Sequence, residues 1–200
     1  MKIGILGSGD VGQALARGFR AEGHEVVVGT RTPRDEFTSY EEAAKFGELL
    51  VLATLWSGTK NALDLAGTPN IGTKVVIDAT NPLVFAENAP PALALGHTDS
   101  GGEQVQRWIP GARVVKAFNT VGNAFMYKPD FPGGPPTMFI AGDDEGAKKT
   151  VTQILERFGW ETEDAGGIQA ARELEPLCIL WVMHGIRTGS WNHAFKLLKK

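Results

Sequence analysis

Two hundred residues, 42% of them hydrophobic, suffice for one well-buried domain with a small appendage and are too few for two full domains. A formal charge of −3, with no basic run beyond Lys199-Lys200, leaves no electrostatic footprint for nucleic acid or an anionic membrane surface. The single cysteine, Cys178, excludes an internal disulfide framework and reads as a small buried apolar residue; with no leader ahead of the first strand and no apolar run of spanning length, the expectation is a soluble, cytoplasmic protein.

The first apolar strand, Lys2 to Leu6, runs into Gly7-Ser8-Gly9-Asp10-Val11-Gly12 and then into a helix over 11–21. This is the dinucleotide-binding fingerprint in its strand–turn–helix context, with a second strand, His24 to Gly29, at the spacing of one β-α-β unit. Gly7 permits the tight turn, Gly9 lets backbone approach a pyrophosphate, and Gly12 lets helix pack on strand. The helix N-terminus favours negative charge there. Where an NAD-selective site holds a carboxylate, the second strand ends instead in Thr30-Arg31-Thr32-Pro33-Arg34. A hydroxyl and two guanidiniums suit a 2′-phosphate, so the expected cofactor is NADP(H).

Further apolar runs follow at Leu49 to Thr54, Lys74 to Ala79, Arg113 to Phe118, Thr137 to Ala141 and Trp160 to Asp164, separated mostly by helical stretches. That alternation predicts an α/β doubly wound Rossmann fold with a parallel sheet covered on both faces. Ser39…Glu42 and Ser100…Glu103 match the capping box, and acidic Asp143-Asp144 precede a helix over 144–158. Two Pro-rich loops, 81–99 and 121–136, follow strands and are expected to wall a second-substrate pocket. The predicted division is a NADP-binding domain over 1–166 and a helical tail over 167–200. The apolar positions of the tail, with Pro176 and Gly185 as interruptions, are to pack on the domain or on a second copy in a homodimer.

These motifs carry a family likeness. GSGDVGQALARGF, VVVGTR, Trp56, DATNPL at 78–83, VVKAFNT at 114–120, AGDDEGAKKTV and DAGG resemble, in that order, the NADP oxidoreductase, coenzyme F-420-dependent family, which includes the cytoplasmic domain of the six-transmembrane metalloreductases. The resemblance implies a Rossmann enzyme that passes a hydride between NADPH and a flavin-like acceptor, with FMN, FAD or coenzyme F-420 as the second substrate. By position it implies that Ser8, Gly9, Asp10 and Val11 hold the pyrophosphate, Thr30 and Arg31 the 2′-phosphate, and Thr54, Leu55, Asn81 and Pro82 the ribose and nicotinamide side. Arg34 is added from its charge.

Hydride transfer needs two rings held face to face in a dry cleft and no protein nucleophile. The chain fits that need: it shows no triad, its four histidines lack ligand spacing, and no metal site is expected. Deazaflavin-using archaeal members carry histidine where Asn119 stands. An amide there can donate to a ring carbonyl but brings no positive charge, so Asn119 is the acceptor-side candidate, and flavin and deazaflavin stay open. Trp181 and Trp191 suit either ring stacking or core packing. A non-catalytic NADP(H)-binding redox sensor is the alternative. An imine or hydroxyacid dehydrogenase is disfavoured, because too little chain follows the last strand for a helical second domain.

Overall fold

The computed structural model describes residues 1–87 and 89–200. Strand β1 (Lys2–Leu6) is buried beyond its first residue and lies between β2 (Glu25–Thr30) and β4 (Leu49–Leu52), parallel to both. Next to β4 come β5 (Val75–Asp78) and β8 (Arg113–Lys116), and β3 (Thr38–Ser39) adds a short edge beside β2. The resulting six-stranded parallel sheet has the order β3-β2-β1-β4-β5-β8. Side chains alternate across it: Ile3, Ile5, Val51, Ile77 and Val115 enter one core, while Leu6, Leu50, Leu52, Val76 and Val114 enter the other. Burial on both faces is why these strands read as continuous apolar runs.

Helices α1 (Asp10–Ala21) and α6 (Glu145–Arg157) cover the first face through Leu15, Phe19, Val151 and Leu155. The second is covered by α2 (Tyr40–Phe46), α3 (Trp56–Ala66), the single turn α4 (Thr68–Ile71) and α5 (Gly101–Trp108). The capping box at Ser39 closes from both sides. At Ser100 only one half forms: Ser100 Oγ accepts the Glu103 N–H at 3.2 Å, but the Glu103 carboxylate is drawn to Arg172, at 2.6 and 2.8 Å.

Three expectations are corrected. The runs at 137–141 and 160–164 do form strands, β9 (Thr137–Ile140) and β10 (Glu161–Asp164), but these pair with each other in a separate two-stranded sheet. Contact with the main sheet is an antiparallel bridge between Lys116 and Ala141. No α-helix stands between β8 and β9, and a parallel return is usually made by one. The 81–99 loop contains a small hairpin, β6 (Leu83–Val84) with β7 (Ala92–Leu93). The middle of the 121–136 loop turns away from the sheet edge: Met126 is buried, Tyr127 donates to Glu22, just past the end of α1, at 2.9 Å, and Trp160 donates to the Met126 carbonyl.

The third correction concerns the tail. Helix α7 (Ala171–Thr188) runs straight through Pro176 and Gly185 and stops at Gly189, whose φ of 68° is the left-handed conformation that glycine adopts without strain. Residues 190–200 form no helix. They fold back, so that Phe195 O accepts the Thr137 N–H at 2.9 Å. The Trp191 ring lies over Gly185, where any Cβ would overlap it. Trp181 is buried, stacks on His193 at 4.6 Å and donates to the His193 carbonyl at 2.9 Å, so its ring packs within the chain. Among the described residues no helix is long and apolar enough to cross a membrane.

Trp181→Ala removes a buried aromatic and the anchor of the 190–200 segment. It is expected to cost about 3–5 kcal/mol in urea unfolding and to expose that segment to limited proteolysis. An unchanged urea midpoint would mean that the segment is held by other contacts.

Candidate functional site

The carboxyl edge of the sheet gathers most of the residues singled out by sequence. Gly7 has a φ of 137°, donates its N–H to Gly29 O at 3.1 Å, and lies so close to Ala53 that a side chain would overlap its carbonyl. A Cβ on Gly12 would overlap the Gly7 carbonyl. Gly9 differs: nothing lies within 4 Å of the position its Cβ would take, and it caps α1 without any side-chain bond. The first N–H groups of α1, at Asp10, Val11 and Gly12, have no carbonyl one turn earlier in the helix. Open space over free N–H donors at a helix N-terminus fits a pyrophosphate.

Ser8 ties this loop to the end of β2, its hydroxyl donating to Thr30 Oγ1 at 3.0 Å, while Gln13 Nε2 holds the Ser8 carbonyl at 2.8 Å. Arg31 and Arg34 are exposed, and neither forms an ion pair among the described residues. Arg34 sits in a tight turn with Phe37, each N–H meeting the other's carbonyl. Burial raises the Tyr40 phenol pKa, and the Arg31 charge opposes the rise.

After β4, Thr54 Oγ1 meets Thr59 Oγ1 at 2.9 Å, and Leu55, 76% exposed, precedes α3 with no side-chain cap. Trp56 stacks on Trp108, centroids 5.4 Å apart. Glu175, Trp56 and Pro82 all crowd the position a Cβ on Gly101 would take. At the ends of β5 and β8, Asn81 Nδ2 donates to the Asn119 carbonyl at 2.9 Å and Asn119 Nδ2 donates back to Asn81 Oδ1 at 3.2 Å. Asn119 Nδ2 also donates to Leu174 O of α7 at 2.9 Å. Both amide hydrogens are thus engaged within the chain. In this arrangement Asn81 and α7 take the donors that a ring carbonyl would use.

Sequence reasoning missed what lies beneath. Lys116, at the end of β8, is fully buried; its ammonium is 2.8 Å from Asp78 Oδ2 and 2.9 Å from Glu175 Oε1, and donates to Thr80 O at 2.8 Å. Glu175, on α7, accepts the Gly101 and Gly102 N–H groups at the start of α5, both at 2.9 Å. Asp78 Oδ1 accepts from the Thr80 backbone and hydroxyl at 2.9 and 2.6 Å. Burial pulls the Lys116 pKa down, but the two carboxylates outweigh it and hold the group charged, above its ordinary range. The signals were a lysine inside the apolar run VVKAF and a glutamate inside an apolar helix. Cys178 lies in the same region with its thiol pushed up to about 12, mainly by burial, so it is inert at neutral pH.

A cavity of about 540 Å³ lies elsewhere, between β10 and the C-terminal segment, lined by Trp160, Glu161, Glu163 and Lys196 among others. Exposed ion pairs, Lys196 with Glu161 and Lys199 with Glu163, span its residues. The carboxyl edge is the better ligand site on topology, since open α/β sheets bind beyond their strand ends. Among the described residues, no group of three or more His, Cys, Asp or Glu is placed to hold a metal.

Fold and edge together define a Rossmann-type dinucleotide-binding protein. The family model described as NADP oxidoreductase, coenzyme F420-dependent, matches residues 2–82. A crystal structure from Arthrobacter sp. FB24, provisionally assigned as an F420-dependent NADP-reductase, superposes with a TM-score of 0.95 at 35% identity, each chain covered in full. The F420-dependent NADP reductase of Methanothermobacter thermautotrophicus is 25% identical over 98% of this chain and 94% of its own length. Metalloreductase STEAP3 of Rattus norvegicus is 30% identical over 88% of this chain, which spans only 36% of that protein. The chain belongs to the NADP oxidoreductase, coenzyme F420-dependent family.

Lys116→Met leaves two buried carboxylates without their cation, and an expected loss of about 3–5 kcal/mol should appear as an earlier urea midpoint. A midpoint within experimental error of wild type would show that the ion triad contributes little to holding β5, β8 and α7 together.

Proposed function

We propose that this chain binds NADPH along the carboxyl edge of the sheet and reduces a flat flavin or deazaflavin acceptor by hydride transfer. The observation that carries the cofactor choice is the end of β2: Thr30, bonded to Ser8, is followed by an unpaired Arg31, with no carboxylate where one would repel a 2′-phosphate. When bound, NADPH supplies the hydride.

The chain's own part is to bind, orient and exclude water. In this reading Gly7, Ser8, Gly9, Asp10, Val11 and Gly12 cradle the pyrophosphate on free N–H donors, while Thr30 and Arg31, with Arg34 nearby, take the 2′-phosphate. Thr54, Leu55, Asn81 and Pro82 line the ribose and nicotinamide side, and Asn119 closes that end. Exposed Leu55, Val84 and Phe85 follow β4 or lie in the 81–99 loop, and they supply apolar surface suited to a flat ring system. Membership of a coenzyme F420-dependent family and the F420-dependent NADP reductase activity for which the Methanothermobacter relative is named support a deazaflavin; the asparagine at 119 keeps flavins among the candidates.

NADPH oxidation followed by absorbance, with FMN, FAD and coenzyme F-420 offered separately and NADH as control donor, tests the activity. Turnover with at least one acceptor, faster from NADPH than NADH, is expected. NADPH binding without turnover on any of them would favour the redox-sensor alternative. Arg31→Ala should weaken NADPH by about 1–3 kcal/mol and leave NADH nearly unchanged; equal losses for both would remove the 2′-phosphate assignment.

A further inference from the structure

The end of β8 is an expensive piece of backbone. Phe118, a buried aromatic, holds a φ of 60°, a conformation that bulky residues rarely adopt. Its N–H has only a thioether for a partner, Met138 Sδ at 3.2 Å. Such outliers persist when the surrounding structure over-determines them, and they concentrate at ligand sites. The next residue is Asn119, 2% exposed, whose Oδ1 has no hydrogen-bond partner. An amide flip does not relieve this, because the opposite orientation would set Oδ1 against two acceptors, Leu174 O and Asn81 Oδ1. Asn81 is itself oriented by its bond to the Asn119 carbonyl. Strain, a weak backbone bond and an orphaned acceptor thus converge on one side chain at the carboxyl edge.

Resting on the NADP(H) reading above, we infer that Asn119 Oδ1 is a specificity-determining acceptor that takes a hydrogen bond from the carboxamide N–H of the nicotinamide. Position along the sheet selects that donor. With the 2′-phosphate at the end of β2, a dinucleotide extended across β1, β4 and β5 reaches β8 after four strand spacings, roughly 19 Å. The nicotinamide end then lies beside the Asn81–Asn119 pair. A carbonyl at that position would face a second acceptor and be rejected; an N–H donor satisfies the orphan.

The test compares NADP⁺ with its 3-acetylpyridine analogue, in which a methyl ketone replaces the carboxamide and the N–H donor is lost. Equilibrium titration calorimetry gives both affinities, and 2′-phospho-ADP-ribose, which lacks the nicotinamide, is the control ligand. Wild-type protein should bind NADP⁺ roughly 5- to 100-fold more tightly than the analogue. In Asn119→Ala that ratio should fall towards one, while 2′-phospho-ADP-ribose binds as in wild type. Wild-type protein that binds NADP⁺ and the analogue equally would overturn the inference without any variant, and so would a variant that keeps the full ratio. Failure of wild-type protein to bind either NADP⁺ or 2′-phospho-ADP-ribose would instead overturn the NADP(H) reading on which the inference rests.

Discussion

One lysine ammonium, buried out of reach of water, organises the carboxyl edge of this protein. Lys116 is held between Asp78 at the end of β5 and Glu175 on α7, and its remaining bond goes to the Thr80 carbonyl. Removing a charge from water costs several kcal/mol, and only close pairing with further hydrogen bonds offsets it. Here the ammonium has two carboxylate oxygens at 2.8 and 2.9 Å and donates to the Thr80 carbonyl at 2.8 Å. The two carboxylates leave one excess negative charge, and it falls where the α5 N-terminus presents the Gly101 and Gly102 N–H groups. A sheet, a crossing helix and the C-terminal helix thus share one electrostatic junction, which a small shift of any of them would break.

What that junction positions is the 79–82 turn and the asparagine pair above it. Thr80 is fixed through both its carbonyl and its hydroxyl, Asn81 follows directly, and Asn81 and Asn119 bind each other. Neighbouring residues of α7 serve both levels: Leu174 O takes an Asn119 hydrogen, and Glu175 takes Lys116. The helix that follows the last strand therefore takes part in building the site. Hydride transfer between two flat rings asks a protein for geometry more than for reactive groups, and rigid turns on a buried ionic foundation supply geometry.

The fold was readable because its signals are local. Gly7, Gly9 and Gly12 stand within six residues, and the interiors of β1, β4, β5 and β8 are apolar because both faces of the sheet are covered. The place of Thr30 and Arg31 at the end of β2 was readable for the same reason, as the fingerprint fixes where the second strand must end. Lys116 and Glu175 were not, since each looks like a stray charge until the fold brings them together. The direction in which Asn119 donates was not legible either, because it is set by a carbonyl of α7, far away in sequence. The direction of β9 depends on how a loop without an α-helix returns the chain, and the end of the last helix on one glycine among many, neither of which apolar periodicity encodes.

The central claim is that this edge, built on the Lys116 junction, is the NADP(H) site. Hydrogen–deuterium exchange of the whole chain with and without saturating NADP⁺ tests it most directly. The account predicts slowed exchange at residues 7–12, at 30–34 and at 117–121, with residues 137–140 and 161–164 unchanged. Protection confined to 137–140, 161–164 and 196–199, around the other cavity, or none at 7–12, would contradict it.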